Sequence, residues 1–339
     1  MAILVTGGCG FIGSNFIHYF LEKYPAADVV NLDKLTYAGN PDNLEGLRPD
    51  LKDRYTFVRG DIADIDLVSR LLREYAVRVV VNFAAETHVD RSIDDPSAFI
   101  TTNIQGTYNL MECARKMDIH KFVHISTDEV YGSLGPSGEF TEDTPLAPNS
   151  PYSASKAAAD LMARSYYKTY GFPVIITRCS NNYGPYQFPE KLIPLAYLRA
   201  VQDRPVPVYG RGENIRDWIF VRDHCRGIAL SMEKGRPGAV YNFGGDAEKK
   251  NIDVVRSVLD FAGKSHELIT FVQDRPGHDL RYAMDYSLAR SELGWEPRTT
   301  FVDGLAETLT WYKNNRQWVA KVQRGEYQQF MDKWYKERC

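Results

Sequence analysis

The stretch TGGCGFIGS, residues 6–14, follows the apolar run AILV and opens a helix-length amphipathic segment. Within it Gly8, Gly10 and Gly13 satisfy a GxGxxG spacing, and Gly7, Gly10 and Gly13 satisfy the related GxxGxxG spacing. A strand, a glycine turn and a helix in that order predict a seat for a dinucleotide pyrophosphate. Glycine permits the tight turn and removes side chains where phosphate must approach, while the helix beginning near Phe11 directs unpaired N–H groups and its positive dipole end at the anion. The glycines alone would also fit a turn kept for helix–sheet packing. Asp33 adds weight to the first reading: it ends VVNLD twenty residues beyond Gly13, where a carboxylate accepts from both hydroxyls of an adenosine ribose and repels a 2′-phosphate. NAD is therefore expected rather than NADP, with Lys34 directly afterwards as the one feature pulling the other way.

Outward from this turn, strand-like runs alternate with amphipathic helical patterns: AILVTGG, DVVNLD, YTFVRGD, RVVVNFAAE, KFVHIST and VIITRCS. That rhythm predicts an α/β protein with a doubly wound parallel Rossmann-type sheet. After Ser180 the pattern changes, with Pro and Gly frequent in NNYGPYQFPEKLIP and PVPVYGRGENIRDW, and a smaller α/β substrate-binding lobe is expected to begin. WIFVRDHCRGIALSMEKG reads as a strand then a helix, so residues 1–180 with a returning segment at about 217–245 are taken as the dinucleotide domain, and 181–216 with 246–339 as the substrate domain. TWYKNNRQWVAKV and YQQFMDKWYKER read as amphipathic surface helices.

The composition excludes several classes. Forty-one Lys plus Arg against 44 Asp plus Glu leave a formal charge of -3, so no basic field recruits nucleic acid, and a polyphosphate ligand needs local cations. The longest apolar runs are strand-sized, and Met1 leads directly into AILVTGG without the regions of a signal peptide; no membrane partner and a cytoplasmic location are expected. Cys9, Cys113, Cys179, Cys225 and Cys339 are widely spread without CxxC or other metal-ligand spacing, which reads as reduced packing thiols and no metal.

Two further motifs carry chemistry. In SPYSASKAAADLMARSYYKTYG, Tyr152 and Lys156 stand at i and i+4, on one helix face. There the ammonium, together with a positive nicotinamide ring, would lower the phenol pKa and let Tyr152 accept a hydroxyl proton near neutral pH. In HISTDEVYG, residues 124–132, a buried strand ends in Thr127, Asp128 and Glu129. The bland reading of that triplet is an N-terminal cap of a helix or turn.

The chain resembles the extended short-chain dehydrogenase/reductases and, within them, the dTDP-glucose 4,6-dehydratase family, over essentially its whole length. The resemblance is carried by TGGCGFIGSNF, LDKLTYAGN, GDI, NFAAETHVDRSI, TNIQGTY, STDEVYG, PYSASKA, RCSNNYGPYQFPEKLIP, PVYGRGENIRDWI and DRPGHDLRYA. It implies a hydro-lyase of deoxysugar biosynthesis: C4 of the hexose is oxidised, water is eliminated across C5 and C6, and the hydride returns to C6. It makes Asp128 the acid, Glu129 the base and Thr127 a hydrogen-bond partner of the C4 oxygen beside Tyr152. Crowding two carboxyls in a desolvated cleft separates their titrations, which supplies the two protonation states needed. Sugar epimerases of the same superfamily keep the Tyr and Lys but lack this acidic pair.

By the same resemblance the cofactor meets Gly7, Gly10, Phe11, Ile12 and Gly13, then Asp33, Lys34, Leu35 and Thr36. Asp61 and Ile62 lie near the adenine, and Phe83, Ala84, Ala85, Glu86 and Thr87 follow the fourth strand, with Thr102, Tyr152, Lys156 and Asn182 completing the set. Substrate contacts are implied for Thr87, His88, Thr127, Asn181, Lys191, Leu192, Pro207 and Tyr209, and for Arg216, Asn251, Asp274, Arg275 and His278. Arg216, Arg275 and Lys191 suit a diphosphate, because guanidinium forks match phosphate oxygens and ammonium adds a point charge. The chain departs from the family wording in HVDRSIDDPSAF and GGDAEKKNID, the latter beside Asn251. A homodimer is implied, built from AFITTNIQGTYNLMECARKM and the Tyr152 helix of each subunit. The competing readings are a dehydratase of another nucleotide sugar, such as UDP-glucose, and a non-catalytic nucleotide-sugar-binding protein.

Overall fold

Strand β1 (Ala2–Thr6) is apolar along its whole length because both of its faces are covered. Ile3 and Val5 enter one apolar cluster and Leu4 another, the alternation a pleated strand imposes. Three further strands repeat it: β2 (Asp28–Asp33), β4 (Val79–Asn82) and β5 (Lys121–Thr127). Val29, Val79, Val81, Val123 and Ile125 join Ile3 and Val5, whereas Val30, Leu32, Val80 and Phe122 join Leu4. With β3 (Tyr55–Arg59), β6 (Val174–Cys179) and β10 (Val240–Phe243) they form a seven-stranded parallel sheet in the order β10-β6-β5-β4-β1-β2-β3. The six strands expected from the sequence all lie in it. These observations come from a computed structural model that describes residues 1–323; YQQFMDKWYKER, the end of the expected substrate domain and Cys339 lie outside the described residues.

Helices cover both faces. Phe16, Ile17, Phe20 and Leu21 of the helix Phe11–Lys23 pack on one face beside Val221, Cys225, Ile228 and Ala229 of the helix Val221–Lys234. The other face is covered by the helices Ile65–Glu74, Thr107–Lys116 and Pro151–Tyr170. Strand order reverses between β1 and β4, and at such a switch point the carboxyl ends of the strands leave a crevice.

A second apolar centre gathers Tyr183, Ile193, Tyr197, Trp218, Val254, Leu259 and Phe301. Around it lie a three-stranded sheet of β7 (Asn181–Tyr183), β9 (Ile215–Phe220) and β11 (Glu248–Lys250), and a parallel pair of β8 (Val206–Tyr209) with β12 (Ile269–Val272). Among the described residues no helix is long and apolar enough to cross a membrane. Cys9, Cys113, Cys179 and Cys225 are buried free thiols.

Two segments differ from their sequence reading. The strand WIF belongs to the small sheet as part of β9, and it is β10 that adds to the large one. Trp218 and Phe220 face the second centre while Ile219 faces a cluster with Tyr241, Phe243 and Trp295, so β9 is apolar on both sides without belonging to the large sheet. The expected helix 98–117 forms as one continuous run, but with a π-helical stretch, Ile100–Gly106, between Ser97–Phe99 and Thr107–Lys116. Asn103, in the π-helical stretch, turns inward to hold the backbone of Glu86 on both sides, accepting from its N–H at 2.9 Å and donating to its carbonyl at 3.0 Å.

Candidate active site

The glycine turn is shaped by how closely two chains meet. Gly7 has φ +69°, and a Cβ there would lie 2.7 Å from the Cα and N of Ala84. A Cβ on Gly13 would lie 2.4 Å from the carbonyl oxygen of Gly7. Gly8 instead faces the interior, where Asn31 Oδ1 accepts its N–H at 3.0 Å. Of the two spacings read from the sequence, therefore, Gly7, Gly10 and Gly13 line the crevice, and with them Phe11 and Ile12. No side chain caps the helix that starts at Phe11. Its first N–H groups open toward the crevice, the arrangement that suits a pyrophosphate.

Asp33 sits at the end of β2 and accepts from the N–H of Cys9 and of Leu35, each at 2.8 Å. Burial raises its pKa, and those two bonds oppose the rise. Lys34 pairs with Asp61 at 2.7 Å, so its charge is matched across the crevice mouth. Thr36, Asp61, Ile62 and Thr102 line the same space, as do Phe83, Ala84, Ala85, Glu86 and Thr87 after β4. Phe83 also packs on Phe16 with ring centroids 5.2 Å apart, so its core role and its crevice role coexist. Leu35 is the exception. Its side chain packs against the core below, and it serves the crevice only through the N–H that holds Asp33.

At the deep end β5 delivers Thr127, and the chain turns through a single 3₁₀ segment, Asp128–Tyr131. Thr127 caps that turn, accepting from the N–H of Glu129 at 3.3 Å, and donates to Asp128 Oδ1 at 3.1 Å. The capping role and an acid pair facing the crevice are thus both present. Asp128 is 2% exposed and its Oδ2 has no hydrogen-bond partner. Burial first, and then the Glu129 charge, push its pKa well above the carboxylate range. Glu129 is half-buried and accepts from the Ser153 hydroxyl at 3.0 Å. Its pKa is also raised, by burial, but Lys191, the Ser153 bond and Arg216 oppose the rise.

The helix Pro151–Tyr170 presents Tyr152 and Lys156 to the same wall. Ser150 caps it, accepting from the N–H of Ser153 at 3.1 Å, and Pro151 occupies the first turn. The relation between the two side chains differs from expectation. The Lys156 ammonium donates to the Ile125 carbonyl at 2.7 Å, and burial brings its pKa down to about 8. Tyr152 is pushed well above the phenol range, by burial first and then by Glu129 and Cys179; Thr127 opposes this, and Lys156 is not among the main influences. The Ile125 carbonyl sits where it draws the ammonium down to the strand.

A second pocket adjoins the first through Glu129, Asn181, Asn182 and Lys191, which line both. Its polar groups include His88, Arg216, Asn251, Arg275 and His278, and its apolar wall includes Leu192, Pro207 and Tyr209. Lys191 donates to the Thr87 carbonyl at 3.2 Å, and Arg216 donates to the Asp279 carbonyl at 2.9 Å and lies 4.2 Å over the Tyr282 ring. His88 is buried, caps the helix Val89–Asp94, and has its pKa lowered well below the usual value by burial and then by Lys191 and Arg275. Asp274 does not line this pocket. It holds His278 Nδ1 at 2.5 Å from behind. Glu190, Gln187 and Tyr282 belong to these walls and Ser153 holds Glu129 from beneath them; none was singled out by the sequence. Glu190, buried between His88 and Arg91, lies next to the Lys191 that was, but no spacing marked it.

Comparison with known proteins gives this geometry a family. A family model described as GDP-mannose 4,6 dehydratase matches residues 4–308. The dTDP-glucose 4,6-dehydratase of Xanthomonas campestris pv. campestris (strain B100) is 52% identical over 342 residues, covering 96% of each chain. The chain belongs to the dTDP-glucose 4,6-dehydratase family. Among solved structures, the dTDP-glucose 4,6-dehydratase of Bacillus anthracis in complex with NAD is 50% identical with a TM-score of 0.89, over 95% of this chain and 99% of that one. The dTDP-glucose 4,6-dehydratase of Streptomyces venezuelae, solved with NAD, is 50% identical with a TM-score of 0.91, over 95% and 100%.

In this member of the dTDP-glucose 4,6-dehydratase family the buried lysine makes a stability test possible. In the unfolded chain Lys156 titrates near its usual 10.5, and in the fold near about 8. Between those values the unfolded chain binds more protons, so this residue's contribution to stability rises with pH across the window, and below it the ammonium is a standing cost of up to about 3 kcal/mol. Lys156→Met is expected to be more stable than wild type at neutral pH by about 1–3 kcal/mol, less whatever is lost at the Ile125 carbonyl, and to lose that advantage as pH rises from about 8 to about 10.5. Chemical denaturation across pH checks this; a difference that does not vary with pH would contradict it.

Proposed function

We propose that this chain is a hydro-lyase that converts dTDP-glucose to dTDP-4-keto-6-deoxyglucose with NAD as its resident cofactor. The observation that carries the reading is the buried Asp128–Glu129 pair standing beside Tyr152 and Lys156 where the two pockets meet. The crevice fits the dinucleotide: Gly7, Gly10 and Gly13 clear the pyrophosphate seat, Asp33 faces the ribose, and Lys34, the cation beside it in the crevice lining, is already matched by Asp61. NAD, when bound, supplies the acceptor of the C4 hydride and its donor to C6.

The remaining steps fall to side chains of this chain. Tyr152 takes the C4 hydroxyl proton, once positive charge in the crevice offsets the burial that holds its phenol neutral, and the Thr127 hydroxyl bonds the C4 oxygen. A ketone at C4 acidifies the C5 proton. Glu129, kept in its ionised form by Ser153, Lys191 and Arg216, removes it. Asp128, which retains its proton, gives it to the departing C6 hydroxyl. Arg216, Arg275 and Lys191 in the second pocket meet the diphosphate, and Leu192, Pro207 and Tyr209 with Asn251 take the nucleoside side.

This assignment divides the described chain into a dinucleotide lobe, residues 1–180 with the helix Val221–Lys234 and β10, and a substrate lobe that includes β7, β8, β9, β11 and β12. Two copies are proposed to pair through the helical run 98–117, its π-helical stretch included, and the Tyr152 helix, because Ile100, Tyr108 and Leu161 leave 56%, 36% and 55% of their surfaces exposed there. The buried free thiols are consistent with a cytoplasmic location.

Mass spectrometry of products from a panel of nucleotide hexoses is expected to show loss of water from dTDP-glucose. Glu129→Gln is expected to lower dehydrated product by about 10²- to 10⁴-fold while substrate still raises the reduced-nicotinamide absorbance; undiminished turnover would remove Glu129 from the mechanism. Light scattering after gel filtration is expected to give a dimer, and Leu161→Asp a monomer. A monomeric wild type would contradict the proposed pairing.

A further inference from the structure

Just beyond Glu86 and Thr87 of the crevice, the chain forms the short helix Val89–Asp94. Asp90 lies on it with 2% of its surface exposed, and its carboxylate is held by Tyr209 and Arg275 from the opposite lobe. Arg275 Nε stands 2.7 Å from Oδ1, and a terminal nitrogen of the same guanidinium donates to Oδ2 at 3.1 Å. The Tyr209 hydroxyl donates to Oδ2 at 3.0 Å. The Arg275 guanidinium also lies 4.4 Å over the Tyr209 ring. Tyr209 ends β8 and Arg275 follows β12, so one carboxylate fixes two side chains from separate strands against each other, and both line the second pocket.

A buried carboxylate removed from water is costly unless it is held by charged donors, and the Arg275 guanidinium supplies that charge through one hydrogen bond and a close ion pair. A guanidinium on a flexible stem would otherwise have to be ordered when ligand binds, at a cost in affinity. The side-chain hydrogen bonds and ion pair of Asp90 go to Tyr209 and Arg275 and to none of Thr127, Asp128, Glu129 or Tyr152, so its influence on the chemical step is indirect.

We propose that Asp90 is a positioning residue for nucleotide-sugar binding, which locks Arg275 and Tyr209 in the orientation the second pocket presents to the diphosphate. The inference rests on the reading of that pocket given under the proposed function. It separates binding from chemistry: loss of the grip weakens ground-state and transition-state binding alike, which raises KM and leaves kcat in place.

The test uses the full-length enzyme with its NAD content measured, steady-state kinetics with dTDP-glucose, and calorimetric binding of dTDP. Asp90→Asn is expected to raise KM and the dTDP dissociation constant about tenfold, with kcat within about twofold and NAD content unchanged. Arg275→Ala should weaken dTDP binding too, and adding Asp90→Asn to it should cost no more than about a further twofold, since Asp90 then has no fork to hold. Unchanged dTDP affinity in folded Asp90→Asn, or fully additive losses in the double variant, would overturn the proposal. Should Asp90→Asn fail to fold, Asp90→Glu keeps the charge and displaces the grip; the same KM rise is expected, and wild-type affinity would overturn the role. A wild type that fails to dehydrate dTDP-glucose would overturn the functional reading instead, whereas an active wild type beside an Asp90 variant of normal affinity would overturn only this inference.

Discussion

Two adjacent carboxyl groups, Asp128 and Glu129, are withdrawn from water at the end of one strand, and the rest of the site is arranged around that cost. Two unit charges about 4 Å apart in surroundings of effective dielectric about 20 repel by about 4 kcal/mol, comparable to the cost of keeping a proton on an ordinary aspartate near neutral pH. The surroundings of the two groups differ. Asp128 is the deeper and has an oxygen with no partner, while Glu129 faces Ser153 and the positive charges of Lys191 and Arg216. In the proposed mechanism Asp128 is the acid and Glu129 the base.

That arrangement needs both apolar centres. The large sheet delivers Thr127 at the end of β5 and, through the helix Pro151–Tyr170, brings Tyr152 and Lys156 to the same wall. The charges that bias Glu129 come from beyond β6: Lys191 precedes the helix Leu192–Ala200 and Arg216 lies in β9. Other contacts also cross between the two sides. Lys191 reaches the Thr87 carbonyl, and Arg275 reaches Asp90. The π-helical stretch belongs to the same scheme, since Asn103 ties Glu86 to Ser155 on the Tyr152 helix, donating to its hydroxyl at 2.8 Å.

Much of this was legible in the residues because it depends on local pattern. Alternating apolar runs gave the strands of the large sheet, and the glycine spacing with Asp33 gave the crevice. What was not legible depends on packing between distant segments. Two glycine spacings fit the sequence equally, and only the inward turn of Gly8 onto Asn31 separates them. Leu35 and Asp274 are adjacent in sequence to residues that line the site, yet Leu35 contributes a backbone N–H and Asp274 backs His278. WIF looks like a strand of the large sheet because β9 is covered on both faces, by two different clusters. Glu190 and Ser153 reach the site through the fold of their segments, and no spacing could have singled them out. The i, i+4 relation correctly placed Tyr152 and Lys156 on one face, but it could not show that the Ile125 carbonyl takes the ammonium.

The protonation states of the acid pair are open to direct measurement. Isotope-edited infrared spectroscopy of the carboxyl groups at neutral pH is expected to show one protonated carboxylic acid in wild type that disappears in Asp128→Asn and persists in Glu129→Gln. Absence of that band, with both groups absorbing as carboxylates, would contradict the account.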